Sequence, residues 1–153
     1  MSNSQCASLN DQLIEKSGLS HAERKYDLED RLIAFAVAII DLVEGIPQTR
    51  AGNHIVGQLV RSGTSPAPNY GESLSAESRN DFIHKMKVAF KELRETRVWL
   101  KIILRNGPSD ERATVERSLC ECEELIRVFG KSISTATSGN KREIRHCPVS
   151  TDT

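Results

Sequence analysis

Aromatic residues are scarce: Phe, Trp and Tyr together make up 5% of the 153 residues. A β-sandwich fills its pleated faces with aromatic and β-branched side chains, so this scarcity argues against one. An excess of either charge is also missing. The 21 Lys and Arg residues balance 21 Asp and Glu residues, which excludes a uniformly basic protein that coats nucleic acid through bulk charge. No run approaches the roughly 18 consecutive apolar residues of a membrane-spanning helix. No basic stretch followed by an apolar one opens the chain as a secretory signal would. The expectation is a cytoplasmic protein of one domain with no membrane partner.

Several chemistries lack their residues. The four cysteines, Cys6, Cys120, Cys122 and Cys147, show no C-x-x-C spacing. Cys120 and Cys122 stand two apart in a helical pattern and so point to nearly opposite faces. A zinc site would require Cys147 and His146 to fold back onto one of them; the simpler reading is reduced thiols, with Cys122 on or near the core side. Gly45, Gly52, Gly57 and Gly63 are scattered through helical sequence and form no phosphate-cradling loop. Ser62, Ser65 and His54 are isolated rather than arranged as a nucleophile and its base. Glu92-x-x-Glu95 lacks the His of a di-metal bundle motif, and no partner motif exists. No catalytic residue, metal or cofactor is expected.

What is present is helical periodicity. Leu28, Leu32, Phe35, Ile39, Leu42, Val43 and Ile46 recur at steps of three and four, predicting a first helix over about 27–44 that Gly45 and Pro47 stop. A second begins near Gly52 or Asn53, with Ile55, Val56, Leu59 and Val60 as its stripe. Pro66 and Pro68 remove backbone donors within it, so it kinks and continues to about Leu74. The third, about 80–106, carries Phe82, Met86, Ala89, Leu93, Leu100 and Leu104 in one narrow arc, with Thr96 inside the arc and Trp99 beside it. The fourth starts at a Ser109 cap, with Leu119, Cys122, Leu125, Ile126, Phe129 and Ile133 as its stripe. The fold class that follows is all-α: an antiparallel up-down-up-down four-helix bundle with a kinked second helix. Residues 1–26 read as a flexible or partly helical N-terminal segment, 27–133 as the bundle domain, and 134–153 as a disordered tail.

Two faces ask for partners. Besides its core stripe, the first helix carries Ile33, Val37 and Ile40 on a second line, wider than one packed face needs. Either a subunit interface or the N-terminal segment covers it. The third helix has the opposite character. Between Arg79 and Arg105 lie eight basic and three acidic residues, a balance of +5. Lys87, Lys91, Arg94, Lys101 and Arg105 fall within about 40° of one line by the helical period of about 3.6 residues. A solvated face, an acidic helix as partner, or a phosphate backbone would each explain that stripe. The first helix is acidic, at −4, so an internal counter-charge is available.

The most specific stretch is Gln58-Leu-Val-Arg61-Ser62, followed by Ser65, Asn69 and Glu72, then Glu92-x-x-Glu95-Thr96-x-x-Trp99-Leu100. On physical grounds these polar residues satisfy backbone groups freed by Pro66 and Pro68 and pair the second helix with the third, with Arg61 meeting Glu92 or Glu95. The pattern also resembles the 23S rRNA-intervening-sequence protein family over roughly Asp27 to Leu125. That resemblance implies a bacterial antiparallel four-helix bundle, assembled as a ring-shaped homo-oligomer, a homopentamer, with no assigned biochemical activity. It extends to the accessory variability determinant of diversity-generating retroelements, a basic pentameric barrel that binds nucleic acid and its partner reverse transcriptase; this chain departs from that branch in being neutral. The expectation is a non-enzymatic binding or scaffold protein associated with RNA. The alternative is a protein-interaction adaptor for a reverse transcriptase without nucleic-acid contact.

Overall fold

The computed structural model describes residues 28–143, all of its regular structure being helical. The helices are α1 (Leu28–Glu44), α2 (Arg50–Thr64), α3 (Pro66–Leu74), α4 (Arg79–Asn106) and α5 (Arg112–Glu143). α2 and α3 are two pieces of one kinked helix. Ser65 between them keeps helical angles (φ −62°, ψ −32°), and the bonds across it, Ser65 N–H to Arg61 O and Asn69 N–H to Ser65 O, are both stretched to 3.3 Å. The result is an all-α four-helix bundle. Contacts between neighbours run in opposite registers. Ser62 meets Thr96 and Ser73 meets Met86; Arg79 meets Ala136 and Leu93 meets Cys122. The α2–α3 helix is therefore antiparallel to α4, and α4 to α5.

The core takes Leu32, Phe35, Ile39 and Leu42 from α1, Leu59 from α2, Met86, Ala89, Leu93 and Leu100 from α4, and Val115, Cys122, Leu125 and Phe129 from α5. Each fully buried large side chain contributes roughly 1.5–3 kcal/mol relative to exposure. Gly63 lets α2 come close to α1: a Cβ there would stand 2.8 Å from Ile39 Cγ2.

The boundaries differ from expectation at three points. α2 starts earlier, because Thr49 rather than Gly52 or Asn53 is its cap, its Oγ1 accepting the Gly52 N–H at 3.0 Å. α5 starts at Arg112, after a turn in which the Ser109 carbonyl accepts the Arg112 N–H, so Ser109 is not the cap. The expected tail from 134 is helical as far as Glu143. There the hydroxyls bond back along the helix, Ser132 to Val128 O and Thr137 to Ile133 O, and Arg79 Nε donates to Ala136 O at 3.1 Å. Residues 1–26, Cys6, His146 and Cys147 lie outside the described residues.

The α4 stripe is also rotated. Ile83 and Ile103 are buried, whereas Phe82 and Leu104 are only partly so. In α2, Leu59 alone of the expected four apolar residues is fully buried; Ile55, Val56 and Val60 are half-buried at its rim. Cys122 is a free, buried thiol that donates to Leu93 O at 3.2 Å. Burial pushes its pKa up to about 12.

Candidate functional site: a partnered seam and two open faces

The polar motif lies along the seam between the α2–α3 helix and α4. Ser62 and Thr96 are both fully buried. Thr96 Oγ1 lies 3.1 Å from Ser62 Oγ and 2.9 Å from its own helix's Glu92 carbonyl, to which it donates. The small side chains let the two helices approach, and their hydroxyls satisfy each other where water is absent. Asn69 Nδ2 donates to the Ser65 carbonyl at 2.9 Å and to Ser65 Oγ at 3.0 Å. Arg61 Nη2 reaches Glu95 Oε1 at 3.1 Å, and Trp99 Nε1 lies 3.4 Å from that same oxygen. His54 sits edge-on to the Trp99 ring, 6.0 Å between centroids. Glu72 pairs with Lys85, and this hydrogen bond holds the Lys85 ammonium above its ordinary pKa.

Of the two candidate carboxylates, Glu95 takes the Arg61 contact, and Glu92 contributes only its carbonyl. One expectation fails. Pro66 and Pro68 leave the carbonyls of Ser62 and Thr64 without an intrahelical donor. Among the described residues no side chain bonds to these two. Arg61, Ser62, Glu72, Glu95 and Thr96 join helices, while Asn69 braces Ser65 at the kink without reaching the two freed carbonyls.

A second buried polar contact has no counterpart in the motif. Glu121 on α5 is 5% exposed and bonds Arg31 of α1 through both oxygens, at 2.6 and 3.2 Å. The sequence marks only half of it, Arg31 being the one cation in an acidic helix; that Glu121 is buried beside Cys122 is seen in the structure alone.

The two open faces lie outside these seams. Ile33, Val37 and Ile40 on α1 are 48%, 50% and 44% exposed. On α4, Lys87, Lys91, Arg94, Lys101 and Arg105 are all exposed. Lys101 has a 3.5 Å contact with Glu123, and Arg94 lies over the Phe90 ring, 5.8 Å from its centroid. Lys87, Lys91 and Arg105 have no acidic partner among the described residues. The internal counter-charge expected from α1 is not available to them, because α1 and α4 stand diagonally across the bundle. A cleft of about 450 Å³ at the end of α4 is lined by Ile46, Ile55, Ile102, Ile103 and Pro108.

Among the described residues no group of three or more His, Cys, Asp or Glu side chains is placed to hold a metal ion, and no helix is long and apolar enough to cross a membrane. These features define a class: a four-helix bundle with a kinked second helix, whose polar motif joins helices and whose unpartnered groups lie on outward faces. The family follows from comparison. The model of the 23S rRNA-intervening sequence protein matches residues 24–131, and the chain belongs to that family. A crystal structure of a protein of unknown function from the S23 ribosomal protein family of Bacteroides thetaiotaomicron is similar, with 31% identity and a TM-score of 0.62. The alignment covers 69% of this chain and 96% of that one. No curated protein matches.

Proposed function

We propose that this chain is a non-enzymatic, self-associating cytoplasmic scaffold that holds RNA phosphates on the outward face of α4. The observation that carries the reading is the run of exposed cations along α4, three of them without an acidic partner among the described residues. From Lys87 to Arg105 it spans about 27 Å at 1.5 Å per residue, enough to follow several phosphates. Like charges at a spacing of four, as in Lys87 and Lys91, cost an isolated helix about 0.2–0.5 kcal/mol, and a polyanion relieves that cost. The exposed line of Ile33, Val37 and Ile40 supports self-association, a pentameric ring being the form expected from the resemblance.

Salt-dependent retention on RNA tests the RNA-binding part. Retention at low salt is expected, with log K falling linearly against log salt. Lys87→Glu/Lys91→Glu, with helicity intact, should flatten that slope by about 0.7 for each single-stranded phosphate that the variant no longer neutralises. Self-association is tested by light scattering, where a 17 kDa monomer at high concentration rejects it. The second reading is a protein adaptor for a reverse transcriptase, without nucleic-acid contact. The zero net charge favours it, and absence of RNA retention at low salt would select it.

A further inference from the structure

The cationic line on α4 ends beside the apolar cleft. At about 450 Å³ this cleft falls in the range of roughly 300–1,000 Å³ that small-molecule sites occupy. Three parts of the fold wall it: Ile46 from the α1–α2 connection, Ala51 and Ile55 from the first turns of α2, and Ile102 and Ile103 from the last turns of α4. Ile103 is 5% exposed and Ile102 38%, so the wall runs from the core to the surface. Two polar side chains also line it. The Thr49 hydroxyl is engaged as the cap of α2. Asn106 is exposed, and its amide has no hydrogen-bond partner among the described residues; it offers two donors and an acceptor.

Charge around the cleft is divided. Arg105 adjoins Asn106, and Arg50 stands between Thr49 and Ala51; both are exposed, and neither has an acidic partner among the described residues. Lys101, beside Ile102, is exposed as well but is drawn toward Glu123 of α5. The acids Glu44 and Glu111 belong to the Gly45 side, where the Glu111 carboxylate folds against Gly45. An anion is therefore met by cations from α2 and α4 and repelled from the end of α1.

We infer that this cleft takes one unstacked nucleobase of a single-stranded RNA, with the phosphates on either side of that nucleotide held by Arg50 and Arg105. The inference rests on the proposed RNA binding and identifies the form of RNA and the place where a base is held. A base has two flat apolar faces for the isoleucine walls and a polar edge for the Asn106 amide. The guanidinium forks match phosphate oxygens bidentately. The strand then continues onto Lys91 and Lys87. A duplex cannot use the cleft, because its bases are stacked and only their edges reach the grooves. An apolar protein side chain would fill the isoleucine walls but leave the amide and both guanidiniums without partners.

Fluorescence anisotropy on the full chain tests this, with a short mixed-sequence RNA strand and the duplex it forms with its complement as probes, and circular dichroism as the fold control. The strand should bind at least about tenfold more tightly than the duplex. Ala51→Phe fills the cleft from an exposed position and keeps every cation; it should abolish that preference and leave the salt slope unchanged. Asn106→Ala should weaken strand binding about fivefold and leave duplex binding as it was, and it decides the matter if Ala51→Phe disturbs the fold. Arg50→Gln/Arg105→Gln should flatten the slope of log K against log salt by about 1.4, two single-stranded phosphates at about 0.7 each. Equal binding of strand and duplex by the wild-type chain overturns the inference and leaves RNA binding standing. A strand preference that survives both cleft variants also overturns it and leaves the cleft to an apolar protein side chain. Binding of neither probe at low salt overturns the RNA reading itself.

Discussion

The seams between helices and the outward faces use the same kinds of residue to opposite ends. On the seam between α2–α3 and α4, Arg61, Ser62, Asn69, Glu72, Glu95, Thr96 and Trp99 all have side-chain or carbonyl partners. On the outward faces, Lys87, Lys91 and Arg105 have none among the described residues, and the α1 line Ile33, Val37 and Ile40 is about half exposed. A polar group already satisfied within the chain has little left to offer a ligand. The residues that look most motif-like therefore join helices, and the proposed binding falls to residues without an acidic or apolar partner among the described residues. Substitutions on the seams should cost stability, and substitutions on the faces should cost only association.

The largest stability effect is expected at the α1–α5 seam. Arg31→Met removes the cationic partner, among the described residues, of a carboxylate that is 5% exposed and should destabilise the fold by about 3–5 kcal/mol, the cost of a buried charge left unpaired. Chemical denaturation measures it. Arg31→Met/Glu121→Leu should recover most of that loss, since an apolar pair of similar volume replaces a buried ion pair at little cost. If the single and double variants unfold alike, the contact is an ornament of packing and Glu121 reaches water by another route.

Next in size is a pH effect at the α4–α5 seam. The Cys122 thiol is pushed up from an ordinary value of 9.0 to about 12 by burial. The unfolded chain releases this proton near pH 9 and the folded chain holds it, so the folded state binds more protons in between. The contribution is fully present below pH 9 and is lost as pH rises toward 12, at about 1.4 kcal/mol per pH unit. Cys122→Ala should reduce the alkaline slope by up to that amount while costing some stability at neutral pH. Parallel slopes for the two proteins would show that the thiol does not carry the effect.

A smaller loss belongs to Thr96→Val, which keeps the shape and deletes the hydroxyl contact to Ser62. It should cost about 1 kcal/mol, the net value of one hydrogen bond. Arg61→Ala, at a mostly exposed ion pair, should cost less than about 1 kcal/mol. A reversed order would mean that the cluster of exposed Arg61 with half-buried Glu95 and Trp99, rather than the fully buried hydroxyls, holds the two helices in register.

The same division explains what the sequence makes legible. The α1 stripe can be read directly, because Leu32, Phe35, Ile39 and Leu42 face the core at one helical period and nothing competes with them. Periodicity locates the α4 face only to within a fraction of a turn. Phe82 or Ile83, and Leu104 or Ile103, are adjacent choices that the packing of neighbouring helices decides. The end of α5 is hidden for a different reason. Ser, Thr, Gly and Asn have poor helix propensity, and the helix persists where hydroxyls bond back to carbonyls and Arg79 of α4 caps a carbonyl across the seam. The Arg31–Glu121 pair joins residues 90 positions apart, a proximity that no local pattern encodes. The open faces were the most legible parts of the candidate site, since exposure of an apolar line or a cationic line needs no partner to be identified.

The smallest expected effect separates the two regions most directly, because it has the opposite sign. Lys87 and Lys91 repel at a spacing of four on an exposed helix face. Lys87→Glu replaces that repulsion with an attractive pair, acid N-terminal to base, which is the favourable order. Each change is worth about 0.2–0.5 kcal/mol, so the fold should become more stable by about 0.4–1 kcal/mol. Retention on RNA should weaken in the same variant, with a shallower salt dependence. No seam substitution above should raise stability, because each seam group already has its partner. If Lys87→Glu leaves RNA retention unchanged, the cationic line is a solvated face and the boundary between partnered and open regions carries no functional meaning on α4. If stability rises as retention falls, the chain maintains an unfavourable charge arrangement that a polyanion resolves.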